Sequence, residues 1–113
     1  MRLTAAQFAI LLALSRGEMH GYAILQESAA HQGGLRLGPG TLYRSLKQLS
    51  DAGLIHEVGE RGDLDHRRRY YRLTDDGKRA AEAEAEALKA LVERAQRTGL
   101  LRPDAPSRLG FSS

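Results

Sequence analysis

Read for the spacing of its apolar positions, the chain divides into four helical patterns and one pair of alternating segments. The most sharply bounded pattern lies between Gly38 and Gly53, where Leu42, Leu46 and Leu49 recur at i, i+4, i+7 and form one buried stripe of a short helix. Pro39 suits the first helical position, because its fixed φ matches the turn and its missing N–H would have no partner there. Gly38 is an acceptable N-cap, and Gly53 stands where a helix commonly ends in the left-handed conformation. The free face carries Thr41, Arg44, Lys47 and Gln48. Two cations, an amide and a hydroxyl are the groups that meet base edges and phosphates in a major groove. A solvated amphipathic helix displays the same residue types, so this stretch needs the rest of the chain to decide its role.

Upstream, Thr4 and Gln7 have capping-box spacing, and Leu3 and Phe8 are placed as a hydrophobic staple. The helix they open runs to about Arg16 and stops at Gly17. From Ala5 to Leu14 it has almost no polar face. Either it is central to the core, or its second face meets another protomer; the second is favoured, since few helices in so small a domain are surrounded completely. Phe8, Leu11 and Leu12 are the candidate interface residues on it. After His20-Gly21-Tyr22 a second helical pattern of about three turns fades at Gly33-Gly34. Leu35-Arg36-Leu37 is too short for more than a single strand-like pairing. Two short helices joined closely, the second presenting polar residues, match a helix-turn-helix.

Leu54 to Val58 is β-like, Glu60 to His66 is a polar loop by composition, and Arg67 to Leu73 returns as a second strand rich in β formers. Such a hairpin behind a reading helix is a wing, and Arg67, Arg68 and Arg69 can reach phosphates or a minor groove from it. Thr74 then caps a last helix, with Asp75 and Asp76 favourably placed against its dipole. Ala81, Ala85, Leu88, Leu91, Val92 and Ala95 form an apolar seam, adequate for pairing with another helix or for packing on its own domain. Leu88, Leu91, Val92 and Ala95 are the candidate interface residues here. The segment after Gly99 reads as a loosely held tail.

Composition narrows the picture further. The 113 residues fit one domain with a sufficient core. Cysteine is absent, which removes disulfides and thiolate metal sites, and none of His20, His31, His56 and His66 has helical ligand spacing to another. No metal and no cofactor is expected. The N-terminal apolar run lacks a cleavage site and continues as a helix, and no other segment approaches a membrane span; a cytoplasmic protein is expected. The net charge of +3 is unevenly spread, with eight Lys/Arg against five Asp/Glu from Arg36 to Arg72 and four against six from Thr74 to Ala95. The positive charge lies in the middle of the chain, where an anionic partner would be met.

Taken in order, Leu12-Ala13-Leu14, His20-Gly21-Tyr22, Pro39-Gly40-Thr41-Leu42-Tyr43, Gly53-Leu54-Ile55 and Arg68-Arg69-Tyr70-Tyr71-Arg72-Leu73-Thr74 with Gly77 resemble the PadR family of bacterial transcriptional regulators. The likeness covers about Leu11 to Arg79, and the single helix after the wing is similar to the short subfamily. The resemblance implies a winged helix that binds pseudo-palindromic operator DNA as a homodimer, usually as a repressor released by a small molecule. It also implies that Tyr22, Thr41 and Tyr43 meet DNA or support the reading head, beside the basic wing at Arg68 and Arg69. Arg44 stands where the family often has proline, Gly38 where it often has serine. The absence of tryptophan departs from the interfacial drug-binding mode of some short members.

The expected architecture is therefore mainly α with a small hairpin: a winged helix-turn-helix over residues 1–73, a dimerisation helix over 74–98 and a tail over 99–113. The partners expected are double-stranded operator DNA, a second copy and a possible small-molecule effector, with no membrane. Two other classes remain: a ligand sensor whose interface pocket is its main site, and a winged helix turned protein-interaction module. Cations on both helix and wing favour DNA. No catalytic constellation or phosphate-binding glycine loop is present in the sequence, so an enzyme is not expected.

Overall fold

The computed structural model describes residues 2–31, 33–62 and 67–102. The elements run α1 (Ala5–Leu14), β1 (Met19–His20), α2 (Gly21–Ala29), α3 (Pro39–Asp51), β2 (Ile55–Arg61), β3 (Arg68–Leu73) and α4 (Asp75–Arg97). The strands form one antiparallel sheet in the order β1-β3-β2. The fold is mainly helical with a small wing, as the apolar periodicity predicts.

Helix α1 starts on the expected capping box: the Thr4 hydroxyl accepts from the Gln7 N–H at 3.0 Å, and Gln7 Oε1 accepts from the Thr4 N–H at 2.9 Å. It ends at Leu14, two residues earlier than expected, and Gly17 at φ 138° takes the chain out of the turn. Ile10, Leu11, Ile24, Leu42 and Leu49 form the fully buried centre, with Leu46 and Ile55 beside them. Leu11 thus belongs to its own protomer's core, which corrects its expected place at an interface. The neighbouring Leu12 points outward and is 57% exposed.

Helix α3 has the predicted limits within two residues at each end, and its stripe of Leu42, Leu46 and Leu49 is buried with Ser45. Leu35 to Leu37 forms no strand; the Leu35 N–H instead donates to the Ser28 carbonyl at 2.8 Å, folding the segment back over the end of α2. The wing differs from expectation in two ways. Strand β2 continues through Gly59 to Arg61, with a bulge between Glu57 and Gly59 that keeps the register with β3. Met19 and His20 add a third strand on the other side of β3. The expected loop tip at residues 63–66 and the tail from residue 103 lie outside the described residues.

The end of α3 is fastened to the start of α4. Thr74 donates its backbone N–H to the Leu54 carbonyl at 3.1 Å and its hydroxyl to the Gly53 carbonyl at 2.7 Å, while that hydroxyl accepts from the Gly77 N–H at 3.0 Å. A Cβ on Gly77 would lie 1.9 Å from the Leu54 carbonyl oxygen, so only glycine permits this approach. Further along α4, Glu84 is buried and accepts from two of the three Arg2 guanidinium nitrogens, Nε at 3.0 Å and Nη2 at 2.9 Å. Arg2 holds the Glu84 carboxyl below the usual range, so this pair adds stability above that range and loses it as pH falls through the lowered value. Beyond Glu84 the helix still borders the domain at Ala87 and Leu88, and Leu91 and Val92 past them are exposed.

Gly77→Ala should cost at least the ~1–3 kcal/mol typical of overpacking, because the obstacle is backbone and cannot rotate away. Gly40→Ala, in a helical position where a Cβ meets nothing within 4 Å, should leave stability unchanged or slightly raised. Urea unfolding of the two variants measures the contrast, and equal midpoints would refute the close approach at Gly77.

Candidate nucleic-acid interface

Three elements converge on one side of the molecule: the start of α2, the outer face of α3 and the wing. Strand β1 is two residues long, yet it fixes His20 by pairing it with Tyr70, whose ring lies 5.3 Å away edge-on. From there His20 caps α2, its Nδ1 accepting the Ala23 N–H at 3.2 Å. The next residue, Gly21, lies close against α3. A Cβ there would press on the Tyr43 hydroxyl at 3.1 Å and on Leu42 at 3.4 Å, so glycine lets α2 begin directly against α3. Tyr22 and Tyr43 consequently stand side by side and outward, 57% and 58% exposed.

Arg68, the first residue of β3, closes this cluster from the wing. Its Nη1 is 3.0 Å from His20 Nε2, and its guanidinium carbon is 5.8 Å from the centre of the Tyr22 ring. Between α2, α3 and the wing lies an open cleft of about 470 Å³ whose wall includes His20, Tyr22, Tyr43 and Arg67 to Arg69. The other cations are partly engaged. Arg67 meets Glu60 at 3.3 Å, Arg69 meets Glu57 at 3.4 Å and Glu60 at 3.8 Å, and Lys47 meets Asp51 at 3.2 Å. Arg61 bonds Glu18 at 2.8 Å and covers the Tyr70 ring at 4.7 Å. Exposed pairs of this kind are worth only ~0.2–1 kcal/mol, so they hold the side chains loosely and yield to a stronger anion. Among the described residues, Arg44 and Arg68 make no ion pair with a carboxylate.

The expected site residues therefore separate. Tyr22, Tyr43, Arg67, Arg68 and Arg69 are brought together around the cleft. Arg44 and Lys47 are exposed on α3, and Thr41 is half-buried in its first turn. Gln48 lies roughly 140° around the helix from Tyr43. It is turned toward α1, where its Oε1 accepts from Gln7 Nε2 at 3.1 Å. Gln48 nonetheless stays exposed and lies about 40° around α3 from Arg44, so its bond to Gln7 orients it at the edge of the outer face. The capping box carried a signal for it: Gln7 spends its amide oxygen on Thr4 and leaves its NH₂ to find an acceptor. His20 was not singled out as part of the site, because neither its capping role nor its pairing with Arg68 follows from spacing along the chain.

On the opposite side Phe8 and Ala95 are half-buried, and Leu12, Leu88, Leu91 and Val92 are exposed. Ala95 accepts at its carbonyl from the N–H groups of Leu100 at 2.9 Å and Leu101 at 3.1 Å, which ends α4. An apolar groove of about 700 Å³ runs between α1, the end of α2 and α4, with Phe8, Leu12, Leu35 and Leu88 in its wall. No group of His, Asp or Glu placed to hold a metal occurs among the described residues.

Three helices, a short first strand and a two-stranded wing, with the second and third helices abutting through a glycine, define a winged helix-turn-helix protein. Residues 10–83 match the transcriptional regulator PadR-like family, and the chain belongs to that family. It is 39% identical over 89 residues to a transcriptional regulator of Mycobacterium tuberculosis, covering 78% of this chain and 79% of that one. It is 40% identical over 95 residues to an uncharacterized transposon protein of Streptomyces fradiae; that match takes in 83% of this chain and spans only 26% of the relative. The fold is also that of PadR from Bacillus subtilis in complex with operator DNA, with a TM-score of 0.64 and 28% identity over 71% of this chain and 47% of that one.

The His20 cap makes the fold sensitive to pH. Burial, and then the Arg68 charge, push the imidazole below its ordinary value. The unfolded chain therefore takes up a proton near pH 6.5 that the folded chain resists, so stability is full above that pH and is lost as pH falls from there through the lowered value. Asn can also cap a helix. Wild type should lose melting temperature faster than His20→Asn between pH 7 and about pH 5, and parallel curves would remove His20 from this role.

Proposed function

We propose that this chain is a sequence-specific DNA-binding repressor that acts as a homodimer on a pseudo-palindromic operator and is released by a small molecule. The observation that carries the reading is the convergence of Tyr22, Tyr43 and the Arg67 to Arg69 run on one cleft beside the exposed cations of α3. Arg44 and Lys47 are positioned to enter a major groove, with Thr41 behind them, while the wing arginines lie against the flanking backbone. The Bacillus relative binds operator DNA with the same fold, which supports the same use here.

A second copy is the partner that the apolar side calls for. Leu91 and Val92 are 48% and 47% exposed on the outer half of α4, and Leu12 lies exposed on α1. Pairing through α4 and α1 covers them and places two reading heads on one duplex, so residues 1–73 form the reading unit and 74–98 the dimerising helix. The groove between α1 and α4 borders this seam. A small apolar effector entering there changes how the copies meet, which is the observation that favours ligand release. No helix among the described residues is long and apolar enough to cross a membrane, and a DNA-bound regulator works in the cytoplasm.

Leu91→Glu should shift a micromolar sample from dimer toward monomer in sedimentation and weaken operator binding, since the second half-site then has to be found independently. A wild-type monomer at that concentration would overturn the dimer. For base reading, Arg44→Ala should cost about 1–3 kcal/mol on the operator identified by genome-wide mapping and much less on unrelated DNA at the same salt. Equal losses on both would assign Arg44 to the backbone, and no loss on either would remove it from the interface.

A further inference from the structure

The contacts of His20 compete for a single lone pair. A neutral imidazole has one acceptor nitrogen and one N–H. Nδ1 faces the Ala23 N–H at 3.2 Å, and Arg68 Nη1, also a donor, lies 3.0 Å from Nε2 and 3.5 Å from Nδ1. Both donors cannot be satisfied. Magnitudes decide which one is. Losing an N-cap costs about 0.5–2 kcal/mol and leaves a backbone N–H without its partner, whereas Arg68 is exposed and turns to water at little cost. Nδ1 is therefore the acceptor, the proton resides on Nε2, and the Nε2–H faces the Arg68 guanidinium donor to donor.

Two adjacent donors that cannot bond each other are complementary to an anionic oxygen set between them. We propose that His20 Nε2–H and Arg68 form one seat for a single backbone phosphate of bound DNA, at the meeting of β1, β3 and the start of α2. This rests on the DNA-binding reading above and adds His20 to it. The seat is polar and open on its outer side, where Tyr22 and Tyr43 flank it. The charged neighbours lining the same cleft are Arg67, Arg69 and Glu60, and Glu60 is already held by the two arginines. The first turn of α2 turns its partial positive charge the same way. Contact with the phosphate relieves the donor–donor conflict, so the DNA-bound form is the one in which every donor of the cluster has an acceptor.

The test uses the full chain and mixed-sequence duplex DNA, because a phosphate contact is indifferent to sequence. His20→Asn keeps a capping oxygen near the Nδ1 position and removes the Nε2–H. It should retain the wild-type melting temperature at pH 7.5 and bind the duplex about tenfold more weakly, the scale of a lost hydrogen bond to a charged group. In an Arg68→Ala background the same change should cost markedly less, because both residues serve one phosphate. Nitrogen-15 spectra of the wild-type imidazole should show the Nε2–H tautomer, with Nε2 shifting when duplex is added. Wild-type affinity in a folded His20→Asn, fully independent losses in the double variant, or an Nδ1–H tautomer would each overturn the seat while leaving DNA binding itself in place. If His20→Asn fails to fold, the tautomer and its response to duplex still decide. A wild-type chain that binds no duplex at all removes both the seat and the function it rests on.

Discussion

The geometry of this protein depends on the fastening of α3 to α4 at Gly53-Leu54 and Thr74-Gly77. Thr74 makes three hydrogen bonds there with backbone groups on both sides, and Gly77 lets α4 begin in direct contact with the Leu54 carbonyl. The Thr74 hydroxyl caps the Gly77 N–H of α4 while the Thr74 donors take the Gly53 and Leu54 carbonyls just past the end of α3, so one residue ties the two helix ends together. The consequence reaches well beyond local stability. The helix with the exposed cations and the helix with the exposed apolar seam become one rigid unit. In the proposed dimer, the angle at which two α4 helices meet then sets the separation of the two reading helices, and a change at the seam is transmitted to DNA without an intermediate hinge.

Charge on the side proposed to face DNA follows a similar economy. A net excess of cations there attracts DNA at long range, yet the wing arginines would repel one another if left bare. Glu57 and Glu60 on β2 divide Arg67 and Arg69 between them, and Asp51 does the same for Lys47. These pairs are exposed and weak, so replacing a carboxylate with a phosphate costs little. Arg68 is treated differently: its neighbours are an imidazole and an aromatic face. That contrast separates the cations that hold the hairpin together from the one placed to act where the elements meet.

Much of the fold was legible in the sequence, because local chemistry decides it. Gly38-Pro39 and Gly53 bound α3, Thr4 and Gln7 start α1, and Thr74 starts α4; each is a signal contained within a few residues. What failed required knowledge across the chain. A two-residue strand at Met19–His20 has no periodicity, and only Tyr70 and Tyr71, some fifty positions later, make it a strand. Gly59 reads as a strand breaker, although the bulge beside it accommodates it within β2. From Phe8 to Leu14 helix α1 is apolar on every side, so spacing could not tell core Leu11 from outward Leu12. His20 was passed over, and the Gln7 contact of Gln48 was not foreseen, for one reason: each depends on a partner on another element. The cluster of tyrosines and wing arginines was legible because resemblance to a family supplied that long-range information.

Helix α1 connects the two sides of the molecule. Phe8 and Leu12 line the apolar groove beside α4, while Gln7, buried on another face of the same two turns, holds Gln48 of α3 at 3.1 Å. In the proposed regulator, a molecule that wedges the groove would push on the helix that steadies α3, in addition to altering how two copies meet. Both routes converge on α3, one through the Gln7–Gln48 contact and one through the α3–α4 fastening. Coupling of this kind is reciprocal: an effector that lowers operator affinity by a given factor is itself held less tightly, by the same factor, when the operator is bound. Because α1 lends one face to the core and another to the groove, changes at exposed Leu12 should act on the proposed coupling, whereas changes at buried Leu11 act first on the fold. The position of one residue along the apolar run from Phe8 to Leu14 thus decides whether a substitution bears on the proposed regulation or on stability.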